Sequence, residues 1–561
     1  MLLKKIHDFS LSYPNQIAVI ENDINITYRE LILQCKKVAQ CIKNKSIPVE
    51  TCIPVTLPRG IEYVIAVLGI LYAGCAFTPL SDSYPEERKK HIMKDCNALF
   101  CIDKEFMHQA LSLKISDIQY SLQEPEEEQL SYIIYTSGST GNPKGAMHPY
   151  KNLCSFVESL SEALPFYDEE KYASTMAYTF TGMCFDILFN LYNGISIHIV
   201  PDNIRKDSRL LQNFIEENNI TSCIISPQLL KNFSLDKPIG KLKKVFTGSE
   251  KVDNLYSPHF HIYNLYGQSE CIQAVTLFDI DKCYENTPLG NALKDINLYI
   301  LDENKNPVED GVVGEICISG RVAEGYINMT NETKNVFVPN PFHSIDGCKT
   351  LFRTNDLGMR LANGNIVYVN RKDWMIKING HRIEPSEIEK ALISHDSILQ
   401  AVVRDFENSA GNVRLCAYYT ANKKCSTEEI VEHLTSKLPD YMIPHHFILL
   451  DSFPLNESNK IDRKALLPPD MENTKSCYIA PETDLEKLFC SAFEKVLKLT
   501  DIGTDDDFFE IGGDSISAVQ LCLEIEKNLS SFMDMTILYE QKTPKKIAAR
   551  LESNGIKYVS I

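Results

Sequence analysis

The sequence predicts an α/β protein: a large N-terminal region of mixed sheets and helices, a small α+β subdomain, and a terminal all-α domain of four helices. Three observations lead there. Apolar strand-like runs alternate with amphipathic helical segments up to about residue 372, the order that builds layered α/β folds. A loop of small and hydroxyl residues carrying one lysine follows the apolar run at 130–135. Beyond a Pro-containing linker, Leu485, Leu488, Phe489 and Phe493 recur at the spacing of one helix face.

Length and composition set the bounds. A chain of 561 residues is expected to hold three to four domains with sizeable cores. With 57 basic and 75 acidic residues the formal charge is −18, which argues against a nucleic-acid partner and an anionic membrane surface. Eighteen cysteines are many, yet none forms a C-x-x-C pair, so zinc ribbons and redox motifs lack support. Scattered thiols without a secretory leader point to a reducing cytoplasm. The longest apolar run, 63–80, contains Gly69, Gly74 and Pro79. It reads as a core helix followed by a strand and not as a membrane span.

The loop YTSGSTGNPKG at 135–145 carries the most chemistry. Gly138, Gly141 and Gly145 let backbone N–H groups approach phosphate oxygens. Thr136, Ser137, Ser139 and Thr140 add hydroxyls, and Lys144 adds a mobile positive charge. A flexible surface loop is the ordinary reading of a Gly/Ser run; the lysine and the preceding strand favour a nucleotide-phosphate loop. It is not a Walker A loop, because Gly145 follows Lys144. Near the other end, DDFFEIGGDSISAVQL at 506–521 places Ser515 at the start of a helix whose Ile516, Val519 and Leu523 share a face. A serine after Gly-Gly-Asp is also an ordinary N-cap.

The loop resembles the phosphate-loop signature of the adenylate-forming superfamily, and further motifs follow in order. They are ITYREL at 26–31, LYAGCAFTPLSDSYPEER at 71–88, NLYGQSE at 264–270, GEICISG at 314–320 and FRTNDLGMR at 352–360. NRKDWMIKINGHRIEPSEIE at 370–389 and PLNESNKIDRKAL at 454–466 complete the series. Together they resemble the adenylation domain of nonribosomal peptide synthetases over about 1–468, and 506–521 resembles the attachment site of a peptidyl carrier domain. The implied organisation is an adenylation core at 1–372, a C-terminal subdomain at 373–468, a linker at 469–483 and a phosphopantetheine-dependent carrier at 484–555.

The resemblance also assigns roles. Thr136, Ser137, Ser139, Thr140 and Lys144 would hold the β- and γ-phosphates of ATP. Gly248 and Ser249 would line the nucleotide site, Tyr266 would stack on adenine and Asn264 would meet its amino edge. Glu270 would bind Mg2+. Asp356 would accept both ribose hydroxyls, with Tyr368 and Arg371 beside it. Lys460 would approach the substrate carboxylate and the ribose oxygen, offsetting charge as the α-phosphorus is attacked. Asp373 would be the hinge of the small subdomain, and Ser515 would carry 4′-phosphopantetheine.

Several positions depart from the family pattern. Asn355 and Asn370 stand where glycine is usual, and asparagine best tolerates the left-handed backbone glycine would adopt. Ser458-Asn459-Lys460 replaces asparagine-glycine-lysine, and Gln268 replaces a proline. The most informative departure is at the substrate. Amino-acid-activating members carry Phe-Asp about fourteen residues before a glycine, and its aspartate binds the α-ammonium. Counting back from Gly194 gives Phe180-Thr181. A gapped alternative recovers an aspartate at Asp186; the ungapped alignment is preferred. It lines the pocket with Thr181, Gly182, Phe185, Leu229, Val245, Thr247, Leu265, Gln273 and Ala274, with Lys460 at the carboxylate. No side chain among the first nine is charged, and an unpaired ammonium buried there would cost several kcal/mol.

The resulting expectation is a loading module. It would adenylate a small keto, hydroxy, aryl or other acyl acid and pass it as a thioester to its own carrier. A phosphopantetheinyl transferase and downstream condensation, reductase or thioesterase proteins would be its partners. Three alternatives stay open: a neutral amino acid as substrate, a free acyl- or aryl-CoA ligase, and a non-catalytic assembly platform.

Overall fold

The computed structural model describes all residues except 119–122, 139–142, 168, 379, 408–412, 424, 455–460, 469–477, 498, 509–510, 512, 514, 527–534 and 554–561. Among them the chain divides into two compact units, 1–387 with 436–439, and 388–435 with 440–561. The first unit therefore extends past Asp373 and takes in the segment 374–387.

Among the described residues the first unit holds three large sheets and one two-stranded sheet, Ile376–Ile378 with His381–Ile383. The largest has nine strands, and its centre is parallel: Lys244–Gly248 lies between His261–Tyr266 and Ser222–Ile224, which continues through Lys171–Ser174 and Ser196–Ile199 to Ile17–Glu21. Antiparallel strands close both edges. Such sheets place ligand sites beyond the carboxyl ends of their parallel strands. A second sheet runs Gly325–Tyr326, Lys144–Pro149, Leu130–Thr136, Ala76–Pro79, Cys52–Val55. A third pairs Thr350–Arg360 with Ile366–Arg371 and sets Asp356 opposite Arg371.

Local chemistry explains several elements. Thr27 and Glu30, inside the ITYREL motif, form a reciprocal capping box that starts the helix Tyr28–Asn44. The apolar run at 63–80 is the buried helix Ile61–Tyr72 and the strand Ala76–Pro79, as its glycines and proline suggested. No helix among the described residues is long and apolar enough to cross a membrane.

Among the described residues the second unit contains at least two separate cores. One lies on the three-stranded sheet Ile398–Glu407, Val413–Ala421, His446–Leu449 and holds Val402, Cys416, Tyr418, Phe453 and Leu466. Another belongs to the helices Asp484–Leu497, Ser515–Glu526, Met535–Gln541 and Pro544–Ser553, the four-helix domain expected at this end. Leu485, Phe489 and Phe493 are buried on one face there, and Phe493 meets Phe508 edge-on at 4.9 Å.

Candidate active site

The phosphate loop connects an antiparallel hairpin in which Thr136 pairs with Lys144. Lys144 is the first residue of its strand and is 7% exposed. It is therefore held and not mobile, with its ammonium 5.1 Å from the centre of the Tyr326 ring. Burial lowers its pKa, and neighbouring Arg382 lowers it further. The Thr136 hydroxyl oxygen is buried without a partner among the described atoms. Ser139 and Thr140 lie outside the described residues.

Glu270 sits on a short turn, Ser269–Cys271, and is fully buried. The chain reverses so tightly before it that a Cβ on Gly267 would fall 1.2 Å from the Gln273 carbonyl oxygen, so only glycine fits. The Glu270 carboxylate takes both contacts of Arg382 Nη1, at 2.8 and 3.0 Å, and the Tyr326 hydroxyl donates to Oε1 at 2.6 Å. Burial works to raise its pKa, but Arg382, Tyr326 and Lys144 together hold it down at about 2. A carboxylate so firmly ionised suits a hard cation. Among the described residues no group of three or more His, Cys, Asp or Glu forms a metal cage. An ion at Glu270 would then take its other ligands from nucleotide phosphates and water, the usual manner of Mg2+.

The NGHRIEPSEIE stretch has no role that its sequence alone assigns. The structure brings this stretch onto the site. Besides Arg382 on Glu270, the Arg382 carbonyl accepts the Ser137 hydroxyl at 2.7 Å, and Glu387 accepts the Gly138 N–H at 3.3 Å while pairing with Arg88 at 2.5 Å. A carboxylate thus occupies a loop N–H suited to phosphate, and a guanidinium occupies the carboxylate suited to a metal. A phosphate at Gly138 or a cation at Glu270 would compete with these contacts.

Of the residues expected to face the nucleotide, Gly248, Asn264 and Tyr266 lie at or near the ends of parallel strands, and Asp356, Tyr368 and Arg371 lie on the antiparallel third sheet. Gly248 has φ 155°, and a Cβ there would come 2.0 Å from the Leu265 carbonyl; Ser249 follows at φ 70°. Asn264 donates its amide to the Pro288 carbonyl at 2.9 Å, which leaves its own oxygen to accept an adenine amino group. The Tyr266 hydroxyl donates to Asp356 Oδ2 at 2.8 Å. Arg371 pairs with Asp356 Oδ1 and reaches Asp373 through Nε and Nη2, at 2.7 and 2.8 Å. Asp373 also accepts from Asn355 Nδ2 at 3.1 Å. Burial raises the pKa of Tyr368 to about 12, with Asp356 adding to the shift. Asn355 adopts φ 61°, the backbone its replacement of glycine implied; Asn370 lies in the strand Ile366–Arg371 and is not left-handed.

At the acid pocket the structure separates the two candidate anchors. Asp186 is fully buried and accepts from the Tyr172 and Ser174 hydroxyls, both at 2.6 Å, and from the Met176 N–H at 3.1 Å. Thr181 is 7% exposed, and Gly182 lies against Met176. Val245 and Thr247 share one face of their strand, and Leu265 is next to last in the adjacent strand. The Thr247 hydroxyl and the Gln273 side-chain amide oxygen are buried without partners among the described residues. Leu229 lies on the short helix Pro227–Leu230. Ala274 is buried and its carbonyl accepts from Arg321. Phe185 is packed among Tyr172, Phe189 and Phe246.

Ser515 opens the helix Ser515–Glu526. Two residues before it, a Cβ on Gly513 would meet Phe508 Cδ1 at 2.3 Å, so a side chain there would require Phe508 to shift. Lys460 lies outside the described residues.

Residues 7–327 match the model of the AMP-binding enzyme family, more than half of the chain. The chain belongs to that family. Residues 387–460 match the AMP-binding enzyme C-terminal domain, which begins where the first compact unit ends, and 487–551 match the phosphopantetheine attachment site. The chain is thus an adenylation domain of nonribosomal peptide synthetase type fused to a carrier domain. Members of this architecture use ATP and Mg2+ and carry 4′-phosphopantetheine. A mycosubtilin synthase polypeptide of Bacillus subtilis is 34% identical over 91% of this chain, and Gramicidin S synthase 2 of Aneurinibacillus migulanus is 30% identical over 95%. The chain spans only 21% and 12% of those relatives' lengths. A solved nonribosomal peptide synthetase protein containing adenylation and PCP domains shares the fold, with TM-score 0.81 at 19% identity over 98% of this chain and 96% of that one. A four-domain nonribosomal peptide synthetase bound to AMP and glycine has TM-score 0.60 at 26% identity, covering all of this chain and 43% of its own.

Proposed function

We propose that this chain adenylates a small carboxylic acid lacking a conventional α-ammonium and loads it as a thioester onto its own carrier at Ser515. The carrying observation is Asp186, whose carboxylate is enclosed by Tyr172, Ser174 and Met176 and so is committed within the fold. Thr181 then stands at the anchor position. A hydroxyl there, with the unpartnered Thr247 hydroxyl and Gln273 side-chain oxygen also assigned to the lining, suits a neutral keto or hydroxy substituent and offers no counter-charge to an ammonium.

The chain's own groups divide the work. Thr136, Ser137 and Lys144 bind and orient phosphate oxygens, with Ser139 and Thr140 from the same loop. Glu270 supplies the anionic ligand for a cation, Asn264 and Tyr266 hold the base, and Asp356, Tyr368 and Arg371 hold the ribose. Lys460 offsets charge at the reacting carboxylate. When bound, ATP supplies the activated α-phosphorus, Mg2+ neutralises its phosphates, and phosphopantetheine supplies the acceptor thiol. Asp373 is the hinge between the two half-reactions.

Pyrophosphate exchange over matched sets of keto, hydroxy, aryl and α-amino acids tests the reading. Acids without the ammonium should exchange faster than their amino counterparts, and Thr181→Asp should weaken the preferred acid. Strong, selective exchange with a standard α-amino acid in the unmodified protein overturns it. A neutral amino acid is the second reading, favoured by the peptide synthases among the relatives. The same panel decides between them. No exchange with any acid would favour a non-catalytic platform.

A further inference from the structure

Gln268 stands in the NLYGQSE motif where proline is usual, and it is 6% exposed. Its amide nitrogen donates to the Thr354 carbonyl at 3.0 Å and to Asp356 Oδ2 at 2.7 Å. Both partners are acceptors, so the orientation of the amide is set by its surroundings and its oxygen is the remaining atom. That oxygen is buried without a partner among the described residues. A buried carbonyl left unpaired carries a desolvation cost unless a ligand group supplies the missing donor.

The donors on Asp356 show why a second acceptor is needed. A carboxylate oxygen takes about two hydrogen bonds. Oδ2 already receives the Tyr266 hydroxyl and the Gln268 amide, and Oδ1 receives Arg371. In this arrangement one place remains, on Oδ1, while a ribose presents two hydroxyl donors. From this we infer that Gln268 is a ribose-specificity residue: its oxygen accepts one ribose hydroxyl of the adenine nucleotide and Asp356 accepts the other. A proline at this position would offer neither the amide clamp on Asp356 nor the second acceptor.

The inference rests on the adenylation reading, and its test keeps the two apart. The full chain is titrated calorimetrically with AMP, 2′-deoxy-AMP and 3′-deoxy-AMP. The unmodified protein should lose about fivefold or more in affinity with each deoxy nucleotide, the scale of one hydrogen bond between ligand and buried acceptor. Gln268→Met, close in shape but without the amide, should keep one of these penalties and reduce the other to less than about twofold. Gln268→Leu, likewise without an acceptor, should behave the same way and serves if the methionine variant melts early. Two unchanged penalties in a folded variant overturn the assignment, as does loss of both together, which would show that Asp356 itself had been displaced. Absence of AMP binding to the unmodified, folded protein overturns the adenylation reading and this assignment with it.

Discussion

Asp186 accepts three hydrogen bonds in full burial, and burial raises its pKa above the usual carboxylate range. These contacts tie the strand Lys171–Ser174 to the segment that carries Thr181. Asp186→Asn, which exchanges one acceptor for a donor, should lower stability by about 1–3 kcal/mol and slow exchange for every acid alike. A reordering of the acid panel in that variant would return the anchor to Asp186. Lys460 is argued on its motif. Lys460→Ala should cut pyrophosphate exchange about 10²-fold, the effect of removing one preorganised charge, with the melting temperature little changed. Near-normal exchange would show that the lysine serves elsewhere.

The carrier helices have a core of their own, so they can be perturbed as an element. Phe493 is fully buried beneath Phe508. Phe493→Ala should cost about 3–5 kcal/mol, abolish acyl loading and leave adenylate formation intact. Ser515→Ala should keep the helices and still form the adenylate. Intact mass after incubation with CoA and a phosphopantetheinyl transferase should show one added group on the unmodified protein and none on the variant. At the other boundary, Asp373 holds Arg371 through two contacts and Asn355 through one. Asp373→Pro fixes φ and removes that clamp. It should slow acyl loading more than adenylation; equal loss in both half-reactions would remove Asp373 from the hinge.

Buried histidines give the whole molecule an acid-sensitive stability. Burial lowers the pKa of His148 and of His198 to about 4, and neither ring nitrogen of His198 has a partner among the described residues. The unfolded chain binds these protons first, so the stability is present above about 6.5 and is lost as pH falls toward 4, by up to roughly 3 kcal/mol per histidine. Glu270, held at about 2, stays ionised through that window. Melting followed from pH 7 to 4.5 should show a steep fall, and His198→Leu should flatten it. An unchanged slope in that variant would place the acid sensitivity elsewhere.

What contiguous residues carry was legible in the sequence: the family motifs in their order and the helical spacing of the carrier. Each depends on backbone conformation or side-chain type within a few positions, which local order specifies. Asn355 shows how far this reaches, since its left-handed backbone followed from the glycine it replaces. Contacts between distant segments were decided only by the tertiary structure. Lys144 read as a mobile charge and is buried against Tyr326. Arg382 and Glu387 had no role until the fold laid them on Glu270 and Gly138. Whether Asp186 is free depends on Tyr172, Ser174 and Met176, partners that another strand and its following loop deliver. Desolvation and the donors a fold assembles around a group determine its chemistry, and neither is a property of the residues beside it in the chain.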